Sequence, residues 1–167
     1  MDTNKKYHLT DETIVIEGRT LHRIVANTDF DDVKIGDLGG FVESEKNLSQ
    51  NRNAWVYGDA RVYGDAQVYG DALVWGDARV YGDALVCGNA WVCGNAEIKS
   101  TQDYIVFKNW WSSGRYFTWT RSNNKYKVGC FYGTGDELIK KAYQDSKTSG
   151  CEYERIVKYV ESILNNN

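Results

Sequence analysis

From Asn53 to Ser100 apolar and polar positions recur every six residues: NAWVYG, DARVYG, DAQVYG, DALVWG, DARVYG, DALVCG, NAWVCG, NAEIKS. The eight units follow one another without a slip. Alanine holds one position from Ala54 to Ala96, and Val or Ile holds another, from Val56 to Ile98. These positions lie two apart, so they share one side of an extended strand while the residue between them points the other way. Gly followed by Asp or Asn then turns the chain, because these residues tolerate a left-handed backbone. Each unit therefore predicts a very short strand and a corner. A helix of period 3.6 would scatter the same positions around its surface and is excluded.

The flanks follow other periods. Residues 6–25 predict a hairpin, with apolar residues at 13–16 and 20–25 around Glu17-Gly18. Residues 34–42, containing GDLGGF, echo the six-residue spacing imperfectly and predict a degenerate first coil. Beyond Thr101, strands are predicted at 104–108, 115–121 and 125–131. Asn123-Asn124 suits a two-residue turn between the last two, which would set Phe117 and Trp119 opposite Cys130 and Val128. Tyr116, Thr118, Thr120 and Lys127 would point the other way. Thr134 and Glu137 form a capping box opening a helix to about residue 145, and Ser149 and Glu152 repeat the device. Tyr153, Ile156, Val157, Val160, Ile163 and Leu164 form an apolar stripe at helical spacing. The chain divides into an N-terminal β cap with a first coil (1–52), the repeat (53–100) and a C-terminal βββαα unit (101–167).

The repeat units resemble the hexapeptide-repeat superfamily, whose fold is a left-handed parallel β-helix. That resemblance implies a triangular prism with three units per coil, so residues 18 apart stack. Trp55, Leu73 and Trp91 then share a face with Tyr57, Trp75 and Cys93. A second face carries Arg61, Arg79 and Glu97 with Tyr63, Tyr81 and Lys99, and a third Gln67 and Leu85 with Tyr69 and Cys87. The first face is apolar, and such a patch marks an interface. Either another copy or a terminal segment folded back would cover it. Because the superfamily often forms trimers, the expectation is a homo-oligomer, trimer favoured, joined through Trp55, Tyr57, Leu73, Trp75 and Trp91. Eight units make less than three coils, so both ends of the prism need caps. GDLGGF, the VYGDA-type array and the C-terminal segment together also resemble uncharacterised proteins carried by bacteriophages. This implies a phage or mobile-element protein that binds a host protein or ligand.

Composition changes this picture in two ways. No segment is apolar enough to span a bilayer, the start of the chain lacks a secretory h-region, and four cysteines make no disulfide framework. The expected setting is the cytoplasm. Charge is also uneven. Residues 1–102 hold 10 basic and 16 acidic residues, and residues 103–167 hold 10 and 7. Residues 104–135 contain no acid, yet hold five Lys or Arg and ten aromatics. Aromatic faces stack on bases while Arg and Lys meet phosphates. Trp110, Trp111, Arg115 and Arg121 are therefore the candidate ligand residues, for a nucleotide or nucleic acid. The alternative is that these aromatics are the core of a small sheet.

Candidate catalysis is thin. Acyltransferases of the superfamily use a His beside the prism, but His8 and His22 both lie in the N-terminal flank. Two histidines cannot supply a three-His zinc site, and Cys87 and Cys93 lack further ligands at metal spacing. Cys130 and Cys151 read as a core and a helix-start residue. Gly-Asp corners explain Asp59, Asp65, Asp71, Asp77 and Asp83 without a cation. The sequence points to no catalytic residue, metal or cofactor. It points to a non-enzymatic oligomeric binding or assembly protein, with nucleotide or nucleic-acid binding as the alternative and a hexapeptide acyltransferase using an unrecognised base as the second.

Overall fold

The computed structural model describes residues 4–166. Its first elements are a hairpin of β1 (Tyr7–Ile16) and β2 (Arg19–Ala26), turned by Glu17 and Gly18 with φ of 51° and 77°. Strand β3 (Leu38–Val42) pairs antiparallel with β2. It also pairs in parallel with β5 (Arg61–Val62), which follows β4 (Trp55–Val56). Then come β6 (Gln67–Val68), β7 (Leu73–Val74), β8 (Arg79–Val80), β9 (Leu85–Val86), β10 (Trp91–Val92) and β11 (Glu97–Ile98).

These two-residue strands stack into three parallel walls, β4-β7-β10, β5-β8-β11 and β6-β9. Trp55 pairs with Leu73 and Leu73 with Trp91, a step of 18 residues, and the other two walls keep the same step. The repeated Ala and Val or Ile side chains are fully buried inside the solenoid. At the corners the backbone takes a left-handed φ that favours glycine. Gly76 has φ 72°, and an added Cβ there would lie 3.1 Å from backbone atoms of Gly94, one coil on. An earlier coil precedes the regular units, since Val42 pairs with Val62 and Leu48 bridges Val68. Both pairs are 20 apart, so this coil holds two extra residues. They lie between Leu48 and Val56, where Arg52 takes a φ of 57°.

The direction of the backbone decides what each end must be capped with. N–H groups of one coil donate to carbonyls of the next, as from Trp55 N to Ala72 O (3.1 Å) and from Leu73 N to Ala90 O (2.9 Å). The first coil is therefore left with free carbonyls and the last with free N–H groups. At the first end the caps are donors. Lys6 Nζ reaches Ala54 O at 2.7 Å, Arg23 reaches Gly39 O and Gly58 O, and Asn47 Nδ2 reaches Ala66 O at 2.9 Å. At the last end the caps are acceptors. Thr118 Oγ1 takes Trp91 N–H at 2.8 Å, Ser122 Oγ takes Glu97 N–H at 2.8 Å, and Asp103 takes Lys99 N–H at 2.9 Å. Tyr104 receives a bond from Cys87 N and gives one to Leu85 O. Satisfied edges of this kind stop a parallel sheet from adding further strands.

The acceptors of the last end come largely from the C-terminal unit. Strands β12 (Tyr104–Lys108), β13 (Tyr116–Thr120), β14 (Lys125–Val128) and β15 (Phe131–Gly133) form an antiparallel sheet, followed by α1 (Gly135–Asp145) and α2 (Lys147–Asn165). One face carries Ile105, Phe107, Phe117, Trp119 and Tyr126 against the helices, where Leu138, Tyr153, Val157 and Val160 are buried. The opposite face carries Tyr104, Val106 and Thr118 and lies on the open end of the solenoid as a lid.

Local chemistry corrects several expectations from the sequence. The turn after β13 is four residues, 121–124, closed by Asn124 at φ 49°. Trp119 consequently pairs with Tyr126, two residues from the expected register, and a slip of two leaves every side chain on its expected face. A fourth strand follows Gly129, whose φ of 53° makes a tight turn and leaves Cys130 exposed rather than in a core. The Thr134–Glu137 capping box opens α1. The second helix starts earlier than Ser149, because Ser146 is its cap and accepts from Ser149 N at 3.1 Å.

Candidate functional site

The apolar face of the solenoid is covered from both ends. Trp55 is wholly buried, with the rings of Tyr7 and Phe30 packed edge-on at 6.0 and 5.3 Å, so it presents nothing to another chain. Tyr57 is half-buried. Burial, followed by the nearby carboxylates of Asp31, Asp32 and Asp37, raises its phenol above the usual range. Leu73, Trp75 and Trp91 are half-buried. Trp75 and Trp91 meet edge to face at 6.0 Å, and Lys127 Nζ sits 5.7 Å from the Trp75 ring. Cys93 is buried beside them, and desolvation pushes its thiol up to about 11 against the opposing pull of Lys127 and Lys125. Such a thiol stays protonated and unreactive.

The four ligand candidates do not converge. Trp110 is 71% exposed at the tip of the β12–β13 connection. Trp111 turns inward, 4.8 Å from the Tyr153 ring, with its indole N–H on Ser149 Oγ at 3.3 Å. It is part of the C-terminal core. Arg115 and Arg121 flank the five residues of β13, so their backbones are about 20 Å apart. Arg121 lies over Trp119 and donates to Gln102 O.

Arg115 instead meets a different set of residues. Where the lid overhangs the last coil, a cleft of about 300 Å³ is lined by Asn89, Trp91, Arg115, Tyr116 and Gly129. Trp91 and Asn89 come from the solenoid, and the other three from the C-terminal sheet and its turns. Lys108 Nζ lies 5.9 Å from the Tyr116 ring on the same side. Two aromatic residues and an arginine thus border one small opening. Asn89 and Gly129 are the residues that sequence reasoning missed. The change from Asp to Asn at a repeat corner was the visible signal for Asn89. Gly129 gave no signal, because the turn it makes depends on a strand too short to read.

Other candidate chemistry is dispersed. His8 Nδ1 is held by Asn27 Oδ1 at 2.6 Å and His22 Nδ1 by Thr10 O at 3.0 Å, both in the N-terminal hairpin. Among the described residues no three His, Cys, Asp or Glu side chains gather as metal ligands. On the second face Arg79 pairs with Glu97, and Tyr63 and Tyr81 stack at 5.3 Å. Among the described residues no helix is long and apolar enough to cross a membrane.

Comparison with known proteins adds the repeat alone. The family model of the YdcK beta solenoid repeat matches residues 54–68 and 78–94. No curated protein matches the chain. The parallel stacks and this match together make the chain a β-solenoid repeat protein of about three turns, with a two-helix unit at its C-terminal end.

Proposed function

We propose that the protein is a non-enzymatic binding module that holds a small, flat ligand in the cleft between solenoid and lid. The observation that carries this is the meeting of Trp91, Tyr116 and Arg115, from two separate units, at one opening of about 300 Å³. That volume is at the lower end of the small-molecule range. Indole and phenol faces favour a planar ring, and a guanidinium adds a directed pair of donors. The solenoid supplies Asn89 and Trp91 as one wall, and the C-terminal sheet and its turns supply Arg115, Tyr116 and Gly129 as the other. Titration of the full chain with the four common ribonucleosides and their 5′-monophosphates, by calorimetry, tests it. Binding that is lost in both Trp91→Ala and Tyr116→Ala is expected. Undiminished affinity in both variants refutes the site.

Self-association is a second reading, kept for the half-open rung of Leu73 and Trp75. That rung lies between the N-terminal cover over Trp55 and the lid by Trp91. Left-handed coiling, membership of the hexapeptide superfamily, a trimer, a phage origin and a host partner in the cytoplasm are proposals resting on the sequence resemblance. A Trp75→Glu variant with the parent's mass in solution would remove the rung as an interface.

A further inference from the structure

We infer that the cleft selects a phosphate-bearing ligand of mononucleotide size, and that Asn89 is the specificity residue that admits its charge. The inference rests on the reading of the cleft as a binding site and adds the chemical class of what fills it. The lid contributes only positive charge, since residues 104–135 contain no acid and the cleft is bordered by Arg115, with Lys108 beside Tyr116. The solenoid would ordinarily contribute negative charge, because its corners carry Asp at 59, 65, 71, 77 and 83. At 89 and 95, the two corners that flank Trp91, the residue is Asn.

Corner geometry does not demand this exchange. Gly88 and Gly94, just before the two Asn residues, have φ of 65° each, and Gly64, Gly70, Gly76 and Gly82, just before Asp residues, lie between 66° and 72°. What changes is a carboxylate for an amide of the same shape. Asn95 has a structural use, because its Oδ1 accepts from Asn123 Nδ2 at 3.2 Å. Asn89 has no such hydrogen bond among the described residues, and it lines the cleft. Asn53, the remaining corner Asn, sits at the opposite end of the array. The corner one coil before Asn89 is Asp71, whose carboxylate lies 4.0 Å from Arg52. A carboxylate at 89 would repel a phosphate held by Arg115, whereas an amide can donate to it. A mononucleotide joins the planar ring that suits Trp91 and Tyr116 to the dianion that suits Arg115 and Lys108.

The same calorimetric series separates the two proposals. A 5′-monophosphate is expected to bind the parent at least tenfold more tightly than its nucleoside, with affinity falling as salt is raised. Asn89→Asp is expected to weaken the monophosphate about tenfold, the effect of one like charge a few Å away. It should leave the nucleoside unchanged. Asn53→Asp, at the opposite end of the array, adds the same charge away from the cleft and should keep the parent's affinity. The fold tolerates Asp at five equivalent corners, so equal unfolding midpoints for Asn89→Asp and parent are expected and would verify an intact solenoid. Equal affinity for nucleoside and monophosphate, or no effect of Asn89→Asp, overturns the phosphate inference and leaves the cleft as a site. Failure of every member of the series to bind the parent overturns both.

Discussion

Replacing Thr118 by Val tests whether the lid is needed to close the solenoid. Thr118 is 1% exposed, and its Oγ1 accepts the N–H of Trp91 at 2.8 Å. That N–H belongs to the last strand of its wall, so no further coil offers it a carbonyl. Valine keeps the shape of threonine and exchanges the acceptor for a methyl group. The loss is the desolvation of a donor left unpaired, about 1–3 kcal/mol. Transfer of the added methyl to a buried site returns a fraction of a kcal/mol. A net loss of about 1–2 kcal/mol lowers the melting temperature of a chain this size by about 2–8 °C. Urea unfolding followed by far-ultraviolet dichroism, with the slope unchanged, measures the difference directly. Hydrogen exchange adds a local reading, because the Trp91 amide should lose protection more than the amides of β7, in the middle of the same ladder. Thr20→Val, at an exposed position of the hairpin, should stay within about 0.5 kcal/mol of the parent. A Thr118→Val midpoint equal to the parent's, with Trp91 protection intact, would refute the account of the capped end.

Other consequences are measurable in the same way. Trp55→Ala removes a fully buried indole from between Tyr7 and Phe30 and should cost about 3–5 kcal/mol by urea unfolding. Gly76→Ala forces a Cβ onto Gly94 at a left-handed corner and should cost about 1–3 kcal/mol, whereas an alanine at the open Gly18 meets no neighbour and carries backbone strain alone. Burial lowers Lys6 from 10.5 to about 8, so above pH 8 the unfolded chain binds a proton that the folded chain has released. Stability due to Lys6 should therefore rise with pH from about 8 towards the ordinary lysine range, and Lys6→Met should flatten that rise up to about pH 10, where tyrosines begin to titrate. Light scattering after size exclusion should show whether Trp75→Glu changes the mass in solution, as self-association through the Leu73 and Trp75 rung requires.

The sequence by itself determined the parts whose physics is local. A six-residue period with Ala and Val two apart and Gly at the corner leaves a stacked coil as the arrangement that buries both every time, and the 18-residue pairing follows that pattern. Thr134 with Glu137 marked the first helix because a capping box is a contact between near neighbours. Only the tertiary structure decided what the outward residues do. Trp55, Leu73 and Trp91 occupy equivalent positions, yet Trp55 is sealed under the N-terminal hairpin while Trp91 borders the cleft. Nothing in the repeat distinguishes them, because the difference comes from residues 25 and 48 positions before one and about 25 after the other. Trp110 and Trp111 are neighbours in sequence, and the turn between β12 and β13 sends one to solvent and the other into the helical core. The caps were legible only as a need. Which donors and acceptors meet that need depends on the direction of the hydrogen-bond ladder, which the coiled backbone alone defines.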